Sequence, residues 1–306
     1  MITTRLLQLP HGIKLSCRSA GEKGRPTLVF LHGFPEAAFV WDGLLKHFAK
    51  PENGGYRCIA PNLRGFEQSS APTDVSAYRP KHLVQDIAAL IAVEGGQIEC
   101  LVAHDWGGAV AWNLAASQPQ LIKQLAIINS PHPGTFLREL QHSPAQQAAS
   151  AYMNFLIRPD AEKLLAEEDF RRLFEFFTLF SSVKGTNPDI KGPRLAPDWL
   201  SSEMKAQYRD VWQRGLTGPL NFYRASPLRP GPEIAKVVIP RELLEVNLRT
   251  LVLWGMGDVA LPPALLDGLM DYVPRMELKK IDGATHWVIH EQPALVAQYL
   301  QDFLAN

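Results

Sequence analysis

Leu101-Val102-Ala103-His104-Asp105-Trp106-Gly107-Gly108-Ala109-Val110 decides how this 306-residue chain folds. An apolar run over residues 98–103 reads as a buried strand and stops abruptly. A helix pattern of small residues, 107–116, begins at once. Between them stands small-x-Asp-x-Gly, with Ala103 and Gly107 as the small flanks. This is the form of a nucleophile elbow, a strand-to-helix turn too sharp for bulky neighbours. The residue at its apex is Asp105 rather than serine. A carboxylate held there reads as a covalent nucleophile, and it suits attack on saturated carbon.

Working outward, strand patterns cover residues 4–9, 13–18, 27–31, 56–60, 98–103 and 124–129, and the first two flank the hairpin signal Pro10-His11-Gly12. Helix patterns fill the later gaps. Residues 37–49 have apolar side chains at helical spacing, and 81–93 follow Pro80 with an apolar face of Leu83, Val84, Ile87, Leu90 and Ile91. Buried strands alternating with amphipathic helices predict an α/β fold, a mostly parallel twisted sheet with helices on both faces. The alternation lapses after Pro131-His132-Pro133. Helical segments are predicted over 144–156, 161–165, 170–182 and 201–213, with a Gly- and Pro-rich loop over 184–197. Leu173, Phe174, Phe176, Phe177, Leu179 and Phe180 are too apolar for a free helix, so they should meet a cap core or the roof of a pocket. Strand (248–254), helix (263–272), strand (276–281) and helix (293–304) patterns then resume. The organisation expected is one core domain, 1–130 and 246–306, interrupted by a helical cap or lid over 131–245.

Lys plus Arg and Asp plus Glu are 31 each, giving zero formal charge, so nothing favours nucleic acid or an acidic membrane surface. Charged residues at 20% and apolar residues at 46% fit a globular protein. The N-terminus lacks a signal-peptide stretch, and no apolar run reaches the roughly 20 residues of a bilayer span. The expectation is a cytoplasmic protein. Cys17, Cys58 and Cys100 suit neither a zinc site nor a disulfide framework and read as buried thiols. The histidines lack metal-ligand spacing, so no metal or cofactor is implied.

Three acid–base residues fall at strand ends: Asp105, then Asp258 after Trp254-Gly255-Met256-Gly257, then His286 in Gly283-Ala284-Thr285-His286-Trp287. Loops at the carboxyl ends of parallel strands share one edge and build the site. The chain order nucleophile, acid, histidine matches an α/β-hydrolase triad. Taken alone, Asp258 reads as a turn residue. His290 competes as the base but lies deeper, toward the last helix, and reads as structural. His104 reads as a packed neighbour turned away from Asp105. His32 is expected to prop the adjoining loop. After the strand at 27–31, Phe30-Leu31-His32-Gly33-Phe34-Pro35-Glu36 is placed to contribute an oxyanion-hole N–H from Phe34, with Trp106 giving the second. Pro35 is a candidate cis proline.

With these pieces assembled, the chain resembles the epoxide hydrolase and haloalkane dehalogenase branch of the α/β-hydrolase superfamily over nearly its whole length. The matching pieces are His32-Gly33-Phe34-Pro35, Pro61-Asn62-Leu63-Arg64-Gly65-Phe66, His104-Asp105-Trp106-Gly107-Gly108, Asn129-Ser130-Pro131-His132-Pro133 and Thr285-His286-Trp287. Departures are Ala103 for glycine, Asn62 for aspartate and Ala284-Thr285 for a glycine-containing pair. In the cap, Tyr152-Met153-Asn154-Phe155 and Gly218-Pro219-Leu220-Asn221-Phe222-Tyr223-Arg224 resemble the segments that carry two tyrosines in epoxide hydrolases. The resemblance implies that Asp105 opens an epoxide to an ester, that Tyr152 and Tyr223 protonate its oxygen, and that His286 with Asp258 activates water to release a vicinal diol. It implies a hydrolase acting on ether bonds, EC 3.3.2.-, a small apolar epoxide as substrate, and a monomer or homodimer. Trp106, Phe34, Phe155 and Phe222 suggest an apolar pocket. A haloalkane dehalogenase would use the same triad; Phe34 stands where such enzymes often have asparagine. A non-catalytic small-molecule receptor on the same fold is the contrasting class. A serine-type esterase is disfavoured because the elbow holds no serine, and a fluoroacetate-type enzyme because no arginines follow Asp105.

Overall fold

A computed structural model describes residues 1–180 and 197–305 of the chain. Its strands are β1 (Thr3–Gln8), β2 (Lys14–Ala20), β3 (Thr27–Leu31), β4 (Arg57–Pro61), β5 (Ile98–His104), β6 (Ile122–Ile128), β7 (Arg249–Gly255) and β8 (Met276–Ile281). They form one sheet in the order β1-β2-β4-β3-β5-β6-β7-β8. Pairing is antiparallel from β1 through β2 to β4 and parallel from there on. The chain passes from β3 to β4 on one side, then places β5 on the other. The carboxyl ends of β3 and β5 therefore flank the point where strand order reverses, the usual ligand crevice of an open sheet.

Every residue of β3 is buried, because helices cover both faces. Leu28, Phe30, Val102, Ile128 and Leu253 point to one face, against Leu45 and Phe48 of α1 (Asp42–Phe48) and Leu300 and Phe303 of α11 (Pro293–Ala305). Val29, Leu31, Leu101, Leu125 and Val252 point to the other, against Ile87 and Leu90 of α2 (Pro80–Val93) and Val110 and Leu114 of α3 (Trp106–Ser117). Alternation of period two along each strand sorts the side chains. Each large apolar side chain so buried contributes roughly 1.5–3 kcal/mol.

Between β6 and β7 the described residues hold helices and no strand: α4 (Pro133–His142), α5 (Pro144–Ala149), α6 (Tyr152–Leu156), α7 (Ala161–Leu179), α8 (Ser202–Trp212) and α9 (Thr217–Ala225). The helix expected over 144–156 is two, parted at Ser150 and Ala151. Those expected over 161–165 and 170–182 are one stretch with a break at Glu167–Phe170, where Glu168, Asp169 and Phe170 adopt positive φ. The end of the second helix, and all but the last residue of the loop expected over 184–197, lie outside the described residues. Ser201 caps α8 through a hydrogen bond from the Met204 N–H. A short α10 (Val288–Glu291) precedes α11.

One expectation fails in the core. Residues 263–272 form two 3-10 turns, Pro263–Leu266 and Leu269–Asp271, instead of a helix. Gly268 between them sits at φ 68°, a left-handed position that ends one turn before the next begins.

Behind the site, Arg64 makes a bidentate ion pair with Asp86 of α2, both nearly inaccessible, and His11 reaches the same carboxylate. The pair anchors the loop after β4, on which α9 rests: a Cβ on Gly218 would fall 2.4 Å from the Gly65 Cα, and Phe66 meets Phe222 at 5.5 Å. Asp86→Ala would strand a buried guanidinium. It is expected to lower stability by about 3–5 kcal/mol, measured by urea unfolding; a loss within experimental error would contradict this role.

Candidate active site

Asp105 occupies the turn from β5 into α3 with φ 49° and ψ −122°, a conformation that costs an L residue about 1–3 kcal/mol. Close packing holds it there. Cβ atoms added at Gly33 or Gly107 would lie 2.3 Å from the Asp105 side chain and 2.5 Å from the Leu31 carbonyl oxygen, so both positions need glycine. The Asp105 carbonyl accepts from the Ser130 hydroxyl at 2.6 Å and from the Ala109 N–H at 3.1 Å, the first bond of α3.

His286 lies between the two aspartates. Its Nδ1 is 2.8 Å from Asp258 Oδ2 and its Nε2 is 3.7 Å from Asp105 Oδ2. Asp258 is fixed from every side: Oδ2 also accepts from Asn129 Nδ2 at 2.8 Å, and Oδ1 accepts the N–H groups of Ala260 and Leu261 at 2.9 and 2.8 Å. Asn129 directly follows β6, and its Oδ1 accepts from the Gly255 N–H at the end of β7. Burial disfavours the charged imidazole of His286. Asp258 against Nδ1 and Asp105 beyond Nε2 outweigh it and raise the pKa to about 9. The resting ring is therefore an imidazolium at neutral pH.

The loop after β3 leans on the same carboxylate. The Phe34 N–H donates to Asp105 Oδ1 at 2.7 Å, and the Phe34–Pro35 bond is cis. His32 props this loop, pairing with the Gly33 carbonyl through Nδ1 and accepting the Leu63 N–H at Nε2. Asn62, the departure noted in the sequence, accepts from the Ala38 N–H and donates from its amide to the Ser16 carbonyl and Glu67, two bonds an ionised aspartate could not donate. His290 bonds Glu36 instead of Asp258, at 2.6 Å. His104 turns away from Asp105: its Nε2 pairs with the His286 carbonyl, and its Nδ1 lies 3.3 Å from Glu36. Glu36 is fully buried. Burial opposes its charge, but His290 and His104 outweigh that and hold its carboxyl well below the usual carboxylate range.

Above Asp105 is a cavity of about 340 Å³, within the usual size of small-molecule sites. Asp105, Trp106, Tyr152 and Tyr223 share its lining with Met153, Phe222 and Leu261. The two tyrosines enter from α6 and α9, with ring centroids 6.3 Å apart. Trp106 and Phe34 pack edge-on to Tyr223 at 5.0 and 5.2 Å. Phe176 and Phe180 pack on Tyr152 at 5.9 and 5.2 Å. Burial is the largest cause pushing both phenols above their ordinary range; Asp105 adds to it for Tyr152, and Tyr152 and then Asp105 add to it for Tyr223, so both stay protonated at pH 7. Of the other residues expected at the pocket, Phe34 is packed against Phe176 as well, and the Phe155 ring lies under the Arg158 guanidinium. The apolar run 173–180 packs within the helical segments: Phe176 and Phe180 stand behind Tyr152, while Phe174 and Phe177 pack on Trp212 and Tyr208 of α8.

Sequence reasoning quoted Asn129 in a motif without a role and passed over Glu36. The position of Asn129 just past a strand end was a usable signal once strand order was known. Nothing local marks Glu36 as buried. Among the described residues no cluster of three or more His, Cys, Asp or Glu side chains is placed to hold a metal ion. Cys17, Cys58 and Cys100 are buried and make no disulfide. No described helix is long and apolar enough to cross a membrane.

A strand-end carboxylate, a histidine backed by a second carboxylate and a β3 loop N–H at one sheet edge define a hydrolase of the alpha/beta hydrolase fold, and the chain belongs to that family, whose profile matches residues 26–293. Among individual relatives it is similar to the AB hydrolase superfamily protein YfhM of Bacillus subtilis, 33% identical over 97% of this chain and 96% of that one. It is also similar to human epoxide hydrolase 4, 31% identical over 96% of this chain and 76% of the relative. Among solved structures it superimposes on an epoxide hydrolase of Bacillus megaterium in complex with an inhibitor, with a TM-score of 0.86 and 27% identity over 99% and 100% of the two chains. The protein is thus an epoxide hydrolase-like α/β hydrolase.

Proposed function

We propose that the protein hydrolyses small apolar epoxides to vicinal diols through an ester on Asp105, with residues 131–245 serving as the cap that carries the acid groups. The observation that carries this reading is the shared cavity: Tyr152 and Tyr223 line it together with Asp105, whose other flank faces His286.

Asp105 Oδ2 attacks an epoxide carbon and the ring C–O bond breaks. An alkoxide is far too basic to leave bare at pH 7, so the oxygen takes a proton from the tyrosine pair. Esterification removes the Asp105 charge that helped hold the proton on His286, and that proton restores the phenol. Neutral His286, oriented by Asp258, then takes a proton from water, which attacks the ester carbonyl. Asp105 Oδ1 becomes the oxyanion, facing the Phe34 N–H with the Trp106 N–H as the second donor. Collapse transfers the proton on His286 to the departing diol oxygen. The acid left on Asp105 returns its proton to the ring. The water oxygen stays in the Asp105 carboxyl.

A halide leaving group would need no proton, so the paired phenols favour an epoxide. Incubation with styrene oxide and, separately, a 1-haloalkane tests the reading: diol from the first is expected. Halide from the second without diol would point to dehalogenation, and thermal stabilisation without product to a receptor; either overturns it. Tyr152→Phe together with Tyr223→Phe is expected to slow ester formation by about 10²–10⁴-fold, the usual range for a positioned acid. Single-turnover quench measures this, and unchanged ester formation would remove both tyrosines from the mechanism.

A further inference from the structure

We propose that Tyr208 and Trp212 of α8 are positioning residues for breakdown of the ester, holding from the cap side the loop whose Phe34 N–H faces the oxyanion. The inference rests on the ester mechanism above. The loop His32–Glu36 is tethered on two sides. Inward, the Phe34 N–H meets Asp105 Oδ1 at 2.7 Å. Outward, the Trp212 indole N–H donates to the Pro35 carbonyl at 2.7 Å, and the Tyr208 hydroxyl donates to Glu36 Oε1 at 2.9 Å. Glu36 is thereby held between α8 and His290. Pro35, whose carbonyl takes the outward bond, directly follows the residue whose N–H makes the inward one.

The two donors are themselves immobilised. Both rings are buried and stack on each other at 5.4 Å with planes 19° apart. Tyr208 also packs on Phe39 and Phe177 at 4.9 and 4.7 Å, and Trp212 on Phe174 at 4.8 Å. Helix and loop lie far apart in the chain, and these hydrogen bonds fix their relative height. A donor aimed where charge develops acts only within a few tenths of an ångström of its place. The Asp105 carboxylate shares its charge between both oxygens and gives it up as Oδ2 bonds to carbon, so the Phe34 N–H contact weakens in the first step; a full negative charge returns to Oδ1 when water adds to the ester. Loosening the loop should therefore slow the second chemical step and spare the first. A general packing defect would slow both.

Trp212→Phe and Tyr208→Phe, made singly in the full chain, remove one N–H or one hydroxyl and keep the rings. Single turnovers of styrene oxide followed by acid quench and peptide mass analysis read ester formation and ester loss separately. The expected result is ester loss slowed about tenfold, a fraction of the roughly 10²–10³ for deleting an oxyanion donor outright, with ester formation within about threefold of native. Ester then accumulates in the steady state. Equal slowing of both steps, or unchanged ester loss in both variants, overturns the proposal. If Trp212→Phe does not fold, Tyr208→Phe carries the test. Native protein that turns over styrene oxide without any ester on Asp105 would sink the underlying mechanism first, and the proposal with it.

Discussion

Asp105→Ala is expected to abolish diol formation, lowering turnover by about 10⁶-fold, the scale on which removing a covalent nucleophile acts. The loss is chemical. Alanine keeps the Ser130 and Ala109 bonds to the backbone at that turn, so the fold should persist with a melting temperature near native. In the proposed mechanism this carboxylate bonds to carbon; it receives the Phe34 N–H, and among the described residues the cavity lining holds no other acid to replace it. Diol is quantified by chromatography. The companion measurement uses native protein in heavy-oxygen water: after repeated cycles the label should enter the peptide holding Asp105. Labelled diol with an unlabelled Asp105 peptide would mean direct attack by water, and near-native turnover by the alanine variant would remove the ester altogether.

His286→Gln separates the two chemical steps. Ester formation needs the ionised carboxylate and the phenols, so about one equivalent of epoxide should still be consumed. Release needs a base, and it is expected to fall by roughly 10⁴–10⁶-fold. Asp258 keeps Asn129 and two backbone donors in the variant, so the surroundings should hold. In the native protein the step has a characteristic pH dependence. The ring titrates at about 9 in the resting state because Asp258 and Asp105 outweigh its burial. A pKa raised on folding contributes stability that is fully present below the unfolded value near 6.5 and lost as pH rises through about 9. Release requires the opposite form, the neutral imidazole, so its rate should increase with pH. Its midpoint should fall below 9, since the ester has removed the Asp105 charge. Quenched-flow measurement of ester loss between pH 6 and 9 checks the sign; a rate that is flat or falls with rising pH would exclude His286 as the base. Full turnover by the glutamine variant would exclude it as well.

Much of this was legible in the residues because it is local. The elbow announces itself in ten positions, since small flanks around Asp105 are a steric demand of the turn. Short, largely apolar strands between amphipathic helices imply a covered, mostly parallel sheet, and the strand-end positions of Asp258 and His286 follow from that pattern. Element ends were legible only approximately. Gly268 at positive φ divided a segment whose apolar spacing reads as one helix, whereas the break at Glu167–Phe170 within α7 falls where the helical pattern lapses between 165 and 170.

The tertiary structure alone decided which side chains meet. Spacing cannot distinguish His286 from His290, four residues apart; packing sends one to Asp258 and the other to Glu36. Asn129 bridges Asp258 and Gly255 because β6 lies beside β7, and Glu36 is a buried charge because α8, α10 and β5 close around it. Tyr152 and Tyr223 face one cavity because α6 and α9 lie side by side. Turn sterics and side-chain periodicity act over a few residues and are written in the chain order. Meetings between residues a hundred positions apart depend on strand order and on which rotamers the filled core allows, and those exist only once the chain has folded.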